Sequence, residues 1–129
     1  AGPPTARITA PGAGARVAGG IGVLMRGTAR DLGGHQLRIF DFAPNGVYYL
    51  ADEGPVPVDG GRWTFRNGTI GAGDRDVGQP FVLTAVIADR RCQATLRTTP
   101  RDAENNIWFR TLPAGCREAD SVRVTKTAP

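Results

Sequence analysis

Apolar and polar residues alternate along this chain in short runs cut by glycine and proline. A period of two is the mark of a strand with one buried face. Arg7-Ile8-Thr9-Ala10 is the first such run, stopped by Pro11-Gly12, and Ala15-Arg16-Val17 is a brief extended return. Over Gly20 to Ala29, residues Ile21, Val23 and Met25 fall on one face. Over Gln36 to Phe42, Leu37, Ile39 and Asp41 point one way and Arg38, Phe40 and Phe42 the other. Pro44-Asn45-Gly46 predicts a hairpin, with Asn-Gly in a type I′ turn, that sends Val47 to Ala51 back along this strand. Val56-Pro57-Val58 reads as a short edge strand, because proline removes a ladder donor. After the turn Asp59-Gly60-Gly61, Arg62 to Arg66 turns Trp63 and Phe65 inward. Gly68 to Gly78 is a Gly/Asp-rich loop, and Pro80 to Ala88 is the most apolar run, hence a central strand.

The period then changes. Asp89 is a helix N-cap residue, Ala88, Cys92 and Leu96 recur at spacing four, and Pro100 is a stop. These predict a helix over Arg90 to Thr99. A polar loop follows, then an apolar patch, Ile107-Trp108-Phe109, that must pack somewhere, then the turn Leu112-Pro113-Ala114-Gly115. A last strand, Ser121 to Thr127, sets Val122 and Val124 against Arg123 and Thr125. Seven or eight short strands in one domain predict an all-β fold: an immunoglobulin-like antiparallel β-sandwich with a short helical insertion before the last strand. The domain is expected over 5–127, with 1–4 a linker and 128–129 a tail.

Composition narrows the class. The chain has 129 residues, the length of one domain, and is able to bury roughly two thirds of its unfolded surface. Gly 18 and Pro 10 exclude long helical bundles. No apolar run approaches the roughly 20 residues of a membrane helix, and no signal peptide is present, so direct membrane insertion is not expected. Met25 is the only methionine, and Ala1-Gly2-Pro3-Pro4 resembles the end of a proline-rich linker. The chain therefore reads as a piece of a longer parent, either secreted or membrane-anchored.

Sixteen basic residues against twelve acidic ones give a net charge of +4, and Lys126 is the only lysine. Such preference for arginine, with abundant Ala and Gly, reads as the coding bias of a GC-rich bacterial genome. The functional alternative is an arginine surface for phosphate or carboxylate. Nucleic-acid binders cluster their basic residues, whereas most arginines here have an acid nearby in sequence, so no nucleic-acid partner is expected. Cys92 and Cys116 are an even pair in a small domain and suggest one disulfide, with two buried thiols as the alternative. A disulfide implies an extracytoplasmic site of action.

Candidate chemistry is sparse. The single Ser121 and single His35 lack a nucleophile elbow, so a small hydrolase is the least favoured reading. The glycine-rich stretches miss the spacing of phosphate loops, and no cofactor is implied. Asp74 and Asp76 are weak calcium candidates without EF-hand spacing, and otherwise no metal site is expected. Aromatic residues are left as the possible binding groups. Tyr48 and Tyr49 must face opposite sides of a strand, and Arg38 shares a face with Phe40 and Phe42. Either Trp108 covers the open end of the sandwich, or Tyr49, Phe42 and Trp108 form an exposed surface. The expected binding residues are Arg38, Phe42, Tyr48, Tyr49 and Trp108.

The order of landmarks resembles bacterial immunoglobulin-like domains, and more narrowly actinobacterial accessory domains. The resemblance rests on Ile8-Thr9-Ala10-Pro11-Gly12-Ala13-Gly14-Ala15-Arg16-Val17, on Gly27-Thr28-Ala29, on Gly61-Arg62-Trp63, on the strand from Phe81, on Tyr48-Tyr49 and on Leu112 to Gly115. It implies a non-catalytic module for protein interaction, sensing or spacing on a larger protein, with no catalytic residue to carry over. The partner is then a protein or a glycan. The alternative is a carbohydrate-binding module that uses Tyr49 and Trp108 as sugar platforms.

Overall fold

The computed structural model describes residues 2–129. The strands are β1 (Thr5–Ala10), β2 (Ala15–Ala18), β3 (Val23–Arg30), β4 (Gln36–Phe42), β5 (Tyr48–Leu50), β6 (Arg62–Asn67), β7 (Pro80–Ala88), β8 (Trp108–Phe109) and β9 (Cys116–Ala128). One helix, α1 (Arg90–Thr98), lies between β7 and β8. The strands form a three-stranded sheet in the order β1-β3-β6 and a six-stranded sheet in the order β2-β9-β7-β4-β5-β8. Ala6, Met25 and Trp63 of the smaller sheet share one core with Ile39, Leu83 and Val124 of the larger. The fold is an all-β sandwich.

The central strands are apolar on both sides because both sides are covered. Leu37 and Ile39 of β4 enter the core between the sheets, while Phe40 and Val86 enter a second cluster with Ala88, Cys92, Leu96 and Cys116 beneath α1. The helix starts where the sequence predicts. Asp89 accepts from Cys92 N at 3.0 Å, and Cys92 and Leu96 form its buried face. The Cys92–Cys116 disulfide ties that helix to the start of β9.

Close approach explains one glycine. Met25, Gly27 and Ala29 alternate inward on β3, and a Cβ at Gly27 would strike Arg7 O and the Trp63 ring. The missing side chain is what lets the indole lie flat on the strand and donate from Nε1 to Thr28 O at 3.0 Å.

Several expectations need correction. The described residues form nine strands rather than seven or eight, because the apolar patch at Trp108-Phe109 packs by adding itself to β5. The sheets are not wholly antiparallel, since β2 runs parallel to β9. β9 begins at Cys116, five residues before the expected start. Ile21 is 78% exposed, because Gly22 turns the chain at φ +89° and the alternation begins only at Val23. Val56–Val58 makes no strand. Val56 N donates to Leu37 O, but Pro57 has no N–H with which to extend the ladder. The hairpin turn is not type I′ either, since only Gly46 of the Asn-Gly pair has positive φ. Pro44 fixes a turn closed by Gly46 N to Ala43 O, and Gly46 then forms the bulge closed by Ala43 N to Val47 O.

Candidate functional site

Six strands face three, so part of the larger sheet has no partner opposite it. β1 lies over β9 and β7, and β6 reaches β4 through a side-chain bond from Asn67 to Asp41. β5 and β8 extend beyond that cover. Asp41 is paired with Tyr49, and Tyr49 with Trp108, across three successive strands. Directly opposed residues share a face. All three therefore stand on the inner face, Asp41 beneath β6 and Tyr49 and Trp108 on the strands beyond it.

A cleft of about 440 Å³ opens beside this overhang, lined among others by Asp41, Asn45, Tyr49, Arg75, Phe81 and Glu104. Asp41 is buried at its floor. Burial raises its pKa from 3.8 to about 7, against the opposing hydrogen bond from Asn67. Tyr49 is half-buried, and its hydroxyl accepts from Asn45 Nδ2 at 2.9 Å. Trp108 is 41% exposed at the sheet edge, and its Nε1 donates to Asp102 Oδ2 at 3.0 Å. Asp102 also accepts from the backbone N–H groups of Asn106 and Glu104, which hold its carboxyl below the ordinary range. The Arg110 guanidinium sits 5.9 Å from the Trp108 ring centroid, within cation–π reach. Both aromatic rings are thus anchored by their polar ends.

The expected cluster of Tyr49, Phe42 and Trp108 is split. Phe42 packs against Tyr48 with ring centroids 4.5 Å apart, on the opposite, helix-side face. Phe40 meets Tyr48 edge-on at 6.4 Å and Phe109 at 6.3 Å. These contacts make Tyr48 and Phe42 the margin of the second core cluster, and only Tyr49 and Trp108 come together.

Arg38 does not present its guanidinium to a partner. It is buried, and its Nε and Nη2 both donate to Asp52, at 3.0 Å and 2.6 Å to Oδ1. Asp52 also accepts from Ile39 N at 2.8 Å. Burial holds the Asp52 carboxyl above the ordinary range, against these bonds. The same cover that makes β4 apolar on both faces forces an ion pair on its one arginine.

The calcium candidates are corrected in a similar way. Lys126 Nζ already bonds Asp76 Oδ1 and Gly73 O, a carboxylate and a carbonyl of the kind a calcium ion would use. Asp74 is exposed. Among the described residues no group of three or more His, Cys, Asp or Glu is placed to hold a metal. The hydrogen bonds of Asp76, from Lys126 first, hold its carboxyl below the ordinary range despite desolvation. His35 bonds Leu32 O within its own turn.

Sequence reasoning missed five buried polar residues, Asp41, Asp52, Asn67, Thr84 and Lys126, and one signal marks three of them. Asp41 has the parity of Leu37 and Ile39, Asn67 that of Trp63 and Phe65, and Lys126 that of Val122 and Val124. A polar residue on the apolar parity of a strand must find a partner inside. No protein-family model matches this chain, and neither does any curated protein.

Proposed function

We propose that this chain is a non-catalytic, immunoglobulin-like binding module that works outside the cytoplasm on a larger bacterial protein, and that its recognition site is the overhang of the larger sheet. One observation carries the reading: Tyr49 and Trp108 are opposed in register at the edge of the larger sheet, Tyr49 half-buried and Trp108 41% exposed. Rings held by their own polar groups lose little freedom on binding, so their contact area converts efficiently into affinity. The disulfide fits the extracytoplasmic setting.

The carbohydrate-binding reading draws on the same pair, because an amphipathic ring beside Asn45, Arg75 and Glu104 suits a ligand with an apolar face and many hydroxyls. The protein-partner reading uses the cleft for an extended segment. The deciding experiment is a glycan array probed with the isolated domain and with Trp108→Ala, Tyr49→Ala and Phe42→Ala. Retention lost with the first two and kept with the third supports the site and its sugar ligand. Retention unaffected by Trp108→Ala and Tyr49→Ala would place recognition elsewhere and overturn the reading. If no glycan is retained, a protein partner must lose affinity with those same two substitutions.

A further inference from the structure

The outer face of the smaller sheet carries five exposed arginines and no acid. They are Arg7 on β1, Arg26 and Arg30 on β3, and Arg62 and Arg66 on β6. None of the twelve acidic residues of the chain lies in these three strands. The described residues form two salt bridges, Arg38–Asp52 and Lys126–Asp76, and neither involves this face. Asp31 and Asp59, beside Arg30 and Arg62 in sequence, stand in the turns beyond the strand ends, with no ion pair to either arginine.

The arginines are arranged as a grid. Arg7 and Arg62 flank Thr28, Arg26 opposes Thr64, Arg30 opposes Thr5 and Arg66 opposes Leu24. No arginine directly opposes another. That spacing limits the repulsion of like charges placed opposite each other, so the array stands without counter-charges. It also sets a hydroxyl beside nearly every guanidinium. Along one strand, Arg26 to Arg30 and Arg62 to Arg66 repeat every four residues, roughly 13 Å.

We infer that this face binds a linear acidic polysaccharide lying across the strands. Guanidinium forks match carboxylate and sulfate oxygens bidentately, and the interleaved threonines match the ring hydroxyls of the same polymer. Charge complementarity selects a polyanion, and the hydroxyl partners select one that is also rich in hydroxyls. An anionic membrane fits less well, because Leu24 is the only apolar side chain on the grid and lies among charges. This site is independent of the cleft, which is on the inner face of the other sheet.

The test uses the whole 129-residue domain with heparin and polygalacturonate as probes, in affinity electrophoresis and calorimetry, beside neutral dextran, duplex DNA and phosphatidylglycerol vesicles. Binding to an acidic polysaccharide, absent for dextran and weakened by salt, is expected. Arg26→Thr, Arg62→Thr and Arg66→Thr together should weaken it about tenfold or more, and the three lysine replacements should restore only part of it. Arg90→Thr with Arg91→Thr, and Trp108→Ala, should leave it unchanged. Failure to bind either polysaccharide, or equal affinity for DNA or vesicles, would overturn the inference. So would binding that survives the triple threonine variant with an unchanged melting curve. The lysine variants guard against misfolding, since they keep both charge and strand.

Discussion

The side-chain amide of Asn67 donates to Asp41 Oδ1 at 2.6 Å, tying β6 of the smaller sheet to β4 of the larger across the core. Because burial raises the Asp41 carboxyl from 3.8 to about 7, the folded protein holds a proton there that the unfolded chain has released. Between those values the native state binds more protons than the unfolded state, so stability falls as pH rises. The contribution is fully present below about pH 4 and is lost by about pH 7, and it is of the order of a few kcal/mol. Asp41→Asn keeps an acceptor for Asn67 and removes the titration. Urea denaturation of both proteins between pH 4.5 and 8 should show the variant gaining on the native protein as pH rises. A constant difference between them would show that Asp41 is ionised throughout.

Arg38 and Asp52 are both buried, so breaking the pair is expected to cost more than replacing it. Arg38→Met leaves an uncompensated carboxylate and should destabilise by ~3–5 kcal/mol. Adding Asp52→Asn to it should recover part of that loss. Equilibrium denaturation checks both, and a cost for Arg38→Met near the ~0.5 kcal/mol of a surface site would contradict the burial.

Cys92 and Cys116 close a loop of 24 residues between helix and final strand. Thiol titration of the denatured, unreduced protein should find no free thiol. Replacing both by alanine should lower stability by ~2–4 kcal/mol, and unchanged stability would show that α1 is held by its apolar face alone.

Trp63 is buried against Gly27 and fills the centre of the smaller sheet's inner face. Trp63→Ala should cost ~3–5 kcal/mol. Gly27→Ala should also be destabilising, since the new methyl group meets a backbone carbonyl as well as the ring. Thermal melts of each variant are the check, and a melting temperature held by Gly27→Ala would mean that β1 and β3 can move apart.

Much of the architecture was legible along the chain. Alternation at Val23-Met25, Leu37-Ile39-Asp41 and Val122-Val124 placed the strands, Asp89 and the Cys92-Leu96 spacing placed the helix, and the cysteine count pointed to the bond that is found. These are local signals, because capping, turn formation and side-chain parity depend on residues a few positions apart.

Parity tells which residues share a face, but not what covers that face. Arg38 was grouped correctly with Phe40 and Phe42, yet α1 and the later loops close over the helix side of β4, and Asp52 neutralises it 14 positions away. Tyr49 and Trp108 are 59 positions apart, and only the addition of β8 to β5 brings them into register. Arg30 and Arg62 looked paired with acids because Asp31 and Asp59, close to them in sequence, sit in turns. Strand pairing gathers these arginines on one face and leaves the acids outside it. Pairing across tens of residues is decided by which apolar faces can be buried together, and no window of the sequence contains that competition.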